Sequence, residues 1–163
     1  MTERSTLILL LAIARFLQAA DVVSDAVPIG FKAGPLVVVS KNGSLTAAPT
    51  DLPFGHPAFR DLTIRKDPEN NRWVISGTVC STNTGSPWEG AVIYAGYPDH
   101  DFRPVAMANL KGEVSFSVRP IGGADSKPRL PTDLYIAPHP IMNSSLEGVV
   151  LRKYPLRSTQ ISE

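Results

Sequence analysis

The tripeptide Asp99-His100-Asp101 holds the densest group of side chains in this sequence that could do chemistry. Imidazole and carboxylate groups ligate zinc or calcium, and they also exchange protons as general acids and bases. His139 could add a further ligand and Tyr97 a phenol, if the fold brought them to the tripeptide. A metal-dependent enzyme built on this loop is therefore one hypothesis for the chain.

The alternative for the same tripeptide is a solvated turn between two strands. Neighbouring residues of one loop seldom all converge on one ion, and the sequence offers no second cluster of ligands. His56 and His139 each stand next to proline, which favours rigid surface loops for both. We therefore predict no resident metal and no cofactor.

Aromatic residues form a second group that could do more than fill a core. Exposed tryptophan and tyrosine side chains anchor partners at interfaces, so Trp88, Tyr97 and Phe102 are predicted to contribute to a partner-binding surface. Trp88 follows a Thr-Gly-Ser-Pro turn and is expected to be the most exposed of the aromatic residues. Trp73 and Tyr94 lie in apolar runs and are expected to fill the core.

Motifs of nucleophilic and phosphate chemistry are missing from the sequence. It contains no Gly-x-Ser-x-Gly elbow, no phosphate-binding loop and no Cys/His zinc spacing. The single cysteine, Cys80, lies in a strand-like run with no base nearby, which is typical of a small buried side chain. These features predict a protein that is not an enzyme.

The charge of the chain argues against a nucleic-acid partner. The formal net charge is +1, and the basic residues are scattered, whereas binding to phosphates requires clustered Lys and Arg. The densest basic run, Arg152-Lys153-Tyr154, is expected to be a solvated strand edge. Hydrophobic residues make up 43% and charged residues 19% of 163 residues, which suits one domain with a packed core.

The N-terminal segment Met1 to Ala20 has a charged start, an apolar run from Leu7 to Ala14 and small residues at its end. This layout is typical of a secretory signal peptide. Because Arg15 interrupts the apolar stretch, a retained membrane or partner-binding helix and an ordinary core helix stay open. We predict a protein that is exported (secreted, periplasmic or at the cell surface) or anchored to a membrane, with residues 1–20 as a possible contact to a membrane complex.

Alternation of apolar and polar side chains dominates the rest of the chain. From Glu113 to Val118, one face carries Val114, Phe116 and Val118 while serine residues occupy the other, which is the period of a half-buried strand. Similar short runs recur about every ten residues between turn residues. The pattern predicts an all-β fold, a seven- to nine-stranded antiparallel β-sandwich of immunoglobulin-like type, preceded by one N-terminal apolar helix.

Two glycine turns are predicted to close β-hairpins. Asn42-Gly43 separates the run Leu36 to Ser40 from the run Ser44 to Ala47, and Lys111-Gly112 separates Val105 to Leu110 from Glu113 to Val118. A polar loop is expected at residues 98–103, and a stiff, proline-rich loop at residues 48–58. Asn42 and Asn143 also begin N-glycosylation triplets, which matter only in a eukaryotic secretory route.

The middle of the chain resembles a known family. The stretches Val74 to Tyr94 and Asn109 to Val118 are similar to the carboxypeptidase regulatory-like and transthyretin-like (prealbumin-like) β-sandwich domains. The matching positions are Gly77 and Val79, the turn Thr84-Gly85-x-Pro87, Gly90-Ala91 with Val92 or Ile93, and then Gly112 and Phe116. Each match shapes a strand or a turn, so the resemblance implies a fold and no chemistry. A small-molecule carrier of transthyretin type is a further alternative.

These observations predict a domain organisation and a function. Residues 21–71 would supply N-terminal strands and the proline-rich loop, residues 72–155 the family-like sandwich core, and residues 156–163 a polar tail. The predicted function is a non-enzymatic module that binds a protein or a carbohydrate, or that serves as an accessory or structural subunit of a membrane or surface complex.

Overall fold

The computed structural model describes residues 34–49, 55–98, 101–122, 128–141 and 145–156. The described residues form ten β-strands: β1 (Leu36–Val39), β2 (Leu45–Ala47), β3 (Pro57–Phe59), β4 (Thr63–Asp67), β5 (Arg72–Ser81), β6 (Val92–Tyr97), β7 (Asp101–Met107), β8 (Glu113–Val118), β9 (Asp133–Ala137) and β10 (Val150–Pro155). None of these residues lies in an α-helix, and no helix long and apolar enough to cross a membrane occurs among them. The predicted helix at residues 1–20 lies outside the described residues, as does nearly all of the predicted tail.

The larger of two antiparallel sheets has six strands in the order β2-β1-β10-β9-β6-β7. Its first hairpin, between β1 and β2, turns at Gly43 with a φ of 80°, as predicted. Strands β9 and β10 pair along their length, which places Asp133 opposite Pro155. The pairing of β6 with β7 shifts register between Ile93 and Tyr94. The prediction of an antiparallel all-β fold is confirmed.

The smaller sheet has four strands built around β5. Ile75 in the middle of β5 pairs with Ile64 of β4 and with Phe116 of β8. The C-terminal part of β5 pairs with β3, where Cys80 lies opposite Ala58. The long strand β5 therefore holds the whole small sheet together.

One apolar cluster joins the two sheets. Ile75 and Val79 of β5 pack in the same buried cluster as Ile93 of β6 and Ile136 of β9. Val114 and Val118 are buried in this cluster and Phe116 packs against it, while the serines between them are exposed. The predicted alternation along β8 is therefore confirmed, and it follows from the period of two in an extended chain.

The larger sheet is apolar on its other face as well. Val92 and Tyr94 of β6 belong to a second buried cluster with Tyr135 and Leu151. Because successive residues of β6 enter the two clusters in turn, the whole strand is buried. This explains why β6 has a continuous apolar sequence instead of an alternating one.

The prediction of a second hairpin at Lys111-Gly112 is wrong. Strand β7 pairs with β6 in the large sheet, whereas β8 pairs with β5 in the small one, so the turn carries the chain from one sheet to the other. Gly112 adopts a φ of 72°, and its carbonyl accepts a hydrogen bond from the amide of Val79 at 2.8 Å. The turn residues specify a reversal of the chain, but they do not specify the strand that pairs after it.

The polar stretch predicted as a loop at residues 98–103 also differs from the structure. Strand β7 begins at Asp101, and the pairing of Phe102 with Gly96 extends the sheet into this polar segment. Strand β7 is an edge strand, and its side chains Arg103 and Pro104 are exposed. An edge strand accepts polar residues and proline because one of its sides faces water, which hides it from a search for apolar runs.

Candidate functional site

The predicted metal loop is described only at its last residue, since Asp99 and His100 lie outside the described residues. The carboxylate of Asp101 accepts hydrogen bonds from the guanidinium groups of Arg103, at 3.1 Å, and Arg129, at 3.5 Å. Two cations therefore surround this carboxylate. Arg103 also lies 5.9 Å from the centre of the Tyr97 ring, within the range of a cation–π contact.

His139 is exposed, and its Nδ1 atom lies 3.1 Å from the carbonyl oxygen of the adjacent Pro140. Across the described ranges of the chain, no three His, Cys, Asp or Glu side chains are grouped closely enough to hold a metal ion. Asp101 and His139 are therefore not part of such a group within those ranges.

The three aromatic residues predicted to meet a partner have structural contacts. Trp88 is half-buried, and its indole N–H donates to the carbonyl of Pro138 at 2.7 Å. Tyr97 is buried and its hydroxyl donates to the carbonyl of Arg119 at 2.9 Å. Phe102 is half-buried against the edge of the Tyr135 ring.

A buried polar network, which sequence analysis placed at the surface, connects the two sheets. Arg152 donates to the carbonyl of Pro57 at 3.0 Å and to that of Gly34 at 2.9 Å, and only 7% of its surface is exposed. His56 is 6% exposed, with its Nε2 atom 3.0 Å from the carbonyl of Val150. The predictions of a solvated edge at Arg152 and a surface loop at His56 are wrong, because backbone carbonyls satisfy both side chains in the interior.

Burial also decides what these groups can do chemically. Desolvation lowers the pKa of His56, and the nearby charge of Arg152 lowers it further. Burial raises the pKa of the Tyr154 hydroxyl to about 12, and this hydroxyl accepts a hydrogen bond from the amide of Phe59. Cys80 is fully buried, and its desolvation raises the thiol pKa. These side chains are held in place by the fold and serve its stability.

A cleft of about 660 Å³ opens where strands of both sheets end. The first residues of β5 and β9 and the last residues of β10 form its walls. Its lining includes Trp73, Leu130, Thr132, Asp133, Lys153 and Leu156. The volume lies within the range of small-ligand sites, and the mixture of apolar and polar side chains is typical of them.

Asp133 contributes a carboxylate to the lining of the cleft. Asp133 accepts a hydrogen bond from the hydroxyl of Thr132 at 2.9 Å and one from Tyr135 at 3.4 Å. The ammonium group of Lys153 lies 3.4 Å from its other oxygen. Asp133 and Lys153 are 14% and 33% exposed, so both can contact solvent or a ligand.

The apolar side of the cleft is formed by Trp73 and Leu130. Trp73 is half-buried, packs against the shared core and has the ammonium group of Lys66 at 5.9 Å from its ring centre. Leu130 is 48% exposed. Sequence analysis assigned Trp73 to the core and Lys153 to a solvated strand edge, and it did not single out Asp133.

No local signal could have found this cleft. Its residues come from segments far apart in the sequence, and only the pairing of β9 with β10 places Asp133 beside Lys153 and Pro155. No protein-family model matches the chain, and neither a curated protein nor a solved structure matches it. The functional argument therefore depends on the residues of the chain and on their geometry.

Proposed function

We propose that this protein is a non-enzymatic binding module that recognises a protein or a carbohydrate, alone or as an accessory subunit of a surface or membrane complex. The observation that carries this proposal is the cleft lined by Trp73, Leu130, Asp133 and Lys153. It combines an aromatic ring, an exposed leucine and an ion pair, which are groups that bind a partner and do not by themselves transform it.

The hydrogen bonds of the titratable side chains support a binding role. The imidazole of His56 and the phenol of Tyr154 contact backbone groups of neighbouring segments, and Asp101 is paired with two arginines. A catalytic base or nucleophile needs a free atom directed at the substrate. In these contacts, the atoms that would have to react already form hydrogen bonds or ion pairs with other groups of the protein.

We also propose that the two sheets form a β-sandwich of the carboxypeptidase regulatory-like or transthyretin-like type. Two observations support this. The sheets share one apolar cluster, and Gly85 and Gly112, at positions of the family pattern, adopt φ values of 71° and 72°. Those conformations favour glycine, so the pattern follows from backbone geometry.

The proposal includes export from the cytoplasm or attachment to a membrane. Its support is the sequence of residues 1–20, with a charged start followed by an apolar run. Mass spectrometry of the protein purified from its native source would test this. A new N-terminus near Asp21, or an intact chain recovered from membranes, is the expected result, and an intact chain in the cytoplasmic fraction would contradict it.

Affinity purification of the full chain tests the binding role and the place of binding together. Leu130→Asp adds a charge to the cleft, while Leu110→Asp adds the same charge at a 77% exposed leucine outside it. We expect a stoichiometric partner, either protein or glycan, that the wild type and Leu110→Asp retain and that Leu130→Asp loses. A purified wild type that binds neither class would refute the proposed function, and a partner retained equally by both variants would refute the cleft as its site.

A further inference from the structure

We infer that the free edge of strand β8 pairs with the same strand of a second copy of this chain, which makes a symmetric dimer with one continuous small sheet. The two copies of β8 run antiparallel about a two-fold axis at Phe116. This dimer goes beyond the proposed function, and none of residues 113–119 lines the cleft. Its support is the free backbone groups of β8, the contrast with the other strand edges and the self-complementary sequence of this strand.

Strand β8 lies at an edge of the small sheet. Among the strands of the described residues, it pairs with β5 and with no other. The residues of an antiparallel strand direct their backbone groups alternately to the two sides. The amide of Val79 donates to the carbonyl of Gly112, which continues the register of β5 with β8. The same alternation directs every second residue of β8 toward β5, namely Val114, Phe116 and Val118.

The residues between these direct their backbone groups away from β5. Those of Glu113 have a partner, since its amide donates to the side-chain oxygen of Asn109 at 2.9 Å and its carbonyl accepts the amide of Asn109 at 3.2 Å. The backbone amides and carbonyls of Ser115 and Ser117 have no partner in the described part of the chain, and both residues are exposed. These donors and acceptors are therefore available to a further strand.

The other strand edges in the described part of the two sheets carry features that hinder the addition of a strand. Strands β2 and β3 have three residues each. Strand β7 contains Arg103 and Pro104 and shifts its register against β6, and β4 exposes Arg65 and Lys66. Short length, charge, proline and bulges are the means by which natural sheets protect their edges. The six residues of β8 include no proline and no lysine, and their register with β5 is regular.

The sequence around Phe116 is self-complementary in an antiparallel pair, which favours a second copy of the chain as the occupant of this edge. From Glu113 to Arg119 it reads EVSFSVR, so residues at equal distances from Phe116 match each other. Antiparallel pairing about Phe116 places Val114 opposite Val118, Ser115 opposite Ser117 and Glu113 opposite Arg119 of the second copy. The two end residues are exposed and carry opposite charges. Cross-strand pairs of hydroxyl groups and of opposite charges stabilise a sheet, and the two-fold symmetry repeats each pair.

The same register uses the free backbone groups of the edge. Ser115 of one copy and Ser117 of the other become hydrogen-bonded pairs, so their amides and carbonyls are satisfied. Phe116 is half-buried and packs against the core that the two sheets share. At the two-fold axis its ring meets the ring of the second copy and extends this core across the interface. A register centred on Ser115 instead places Arg119 opposite Lys111, which has the same charge.

The test measures self-association of the full chain by sedimentation equilibrium over a range of protein concentrations. We compare the wild type with Glu113→Arg, with Arg119→Glu and with the variant that carries both substitutions. Glu69→Arg is the control, at an exposed position between β4 and β5. Each single substitution places like charges opposite each other at both ends of the paired strands, which should raise the dissociation constant of the dimer about tenfold or more. The double variant restores opposite charges and should dimerise like the wild type, as should Glu69→Arg.

Ser117→Pro tests the backbone pairing separately, because it removes an amide that β5 does not use. We expect this variant to be monomeric, and circular dichroism checks that it folds; the charge-reversed variants give the answer if it does not.

A dimer that each charge reversal weakens and that the double variant restores supports the inference. A wild type that stays monomeric up to about 1 mM overturns it, as does a dimer that the double variant does not restore or that a folded Ser117→Pro retains. If the purified chain is monomeric but binds another protein, and Ser117→Pro loses that complex, the edge has a different occupant and the inference fails.

Discussion

Replacing Gly112 with alanine is expected to destabilise the protein far more than the same change at other glycines with positive φ. A Cβ atom at this position would overlap the carbonyl oxygen of Val79 and would come within 3.2 Å of the amide nitrogen of Trp88. The residue also has a φ of 72°, which costs an L-amino acid with a side chain roughly 1 kcal/mol.

The steric overlap at Gly112 is costly because backbone atoms cannot move away without breaking hydrogen bonds. The amide of Val79 donates to the carbonyl of Gly112 at 2.8 Å, and the carbonyl of Val79 accepts from the amide of Trp88 at 2.9 Å. Each of these bonds contributes on the order of 1 kcal/mol. With the conformational cost, the expected loss in the free energy of unfolding is about 3 kcal/mol.

Gly85 and Gly148 are matched controls for the conformational cost of a positive φ, without the steric overlap. Their φ values are 71° and 75°, and a Cβ at either position would meet nothing within 4 Å. Gly85→Ala and Gly148→Ala should each cost about 1 kcal/mol. Urea unfolding followed by the fluorescence of the two tryptophans measures all three variants. A Gly112→Ala value within about 0.5 kcal/mol of the Gly85→Ala value would refute the described close contact between Gly112 and the backbone of Val79.

Three further predictions test other parts of the molecule. Burial lowers the pKa of His56 below its ordinary 6.5, so stability should be full above that pH and should fall as the pH drops through the folded-state pKa. Because a single proton is involved, the free energy of unfolding cannot fall by more than about 1.4 kcal/mol per pH unit. If His56→Gln showed the same dependence of stability on pH as the wild type, His56 would not be the group responsible. Val114→Asp should lower the free energy of unfolding by more than about 3 kcal/mol, because Val114 is only 6% exposed. Ser115→Asp, on the exposed face of the same strand, should change it by less than about 0.5 kcal/mol. Similar effects of the two substitutions would mean that β8 does not alternate as described. The buried thiol of Cys80 should react with a thiol reagent in the native protein much more slowly than in urea, and rapid native labelling would show that β5 is open there.

Strands were predictable from the sequence where one face of the strand is buried and the other is exposed to solvent. Val114, Phe116 and Val118 showed this period in β8. Apolar contact with the core and polar contact with water alternate along one strand, so the information lies in neighbouring residues. The first hairpin was predictable for the same reason, since its turn at Gly43 is local.

The partners of the strands were not predictable in the same way. The turn at Gly112 was expected to pair β7 with β8, but it connects two sheets. A turn sequence determines how the chain reverses over a few residues. Which strand the next strand joins depends on contacts with distant segments, such as the pairing of Phe116 with Ile75.

The candidate site was even less accessible to sequence analysis. Trp88, Tyr97 and Phe102 were predicted from their residue types to contribute to a partner-binding surface, yet all three are at least half-buried. Trp73 was assigned to the core and Lys153 to a solvated strand edge, yet both line the same cleft with Asp133. Residue type alone does not show whether an aromatic ring faces a core, a loop or a cleft.

By itself, the sequence determined the all-β class, the strands that alternate and the glycine turns, because each of these depends on the geometry of adjacent residues. Only the tertiary structure decided that Arg152 and His56 are buried and that Trp73, Asp133 and Lys153 line one cleft. The reason is that burial and proximity come from pairing strands far apart in the chain, and the energy of that pairing is shared among many side chains instead of being encoded at any one position.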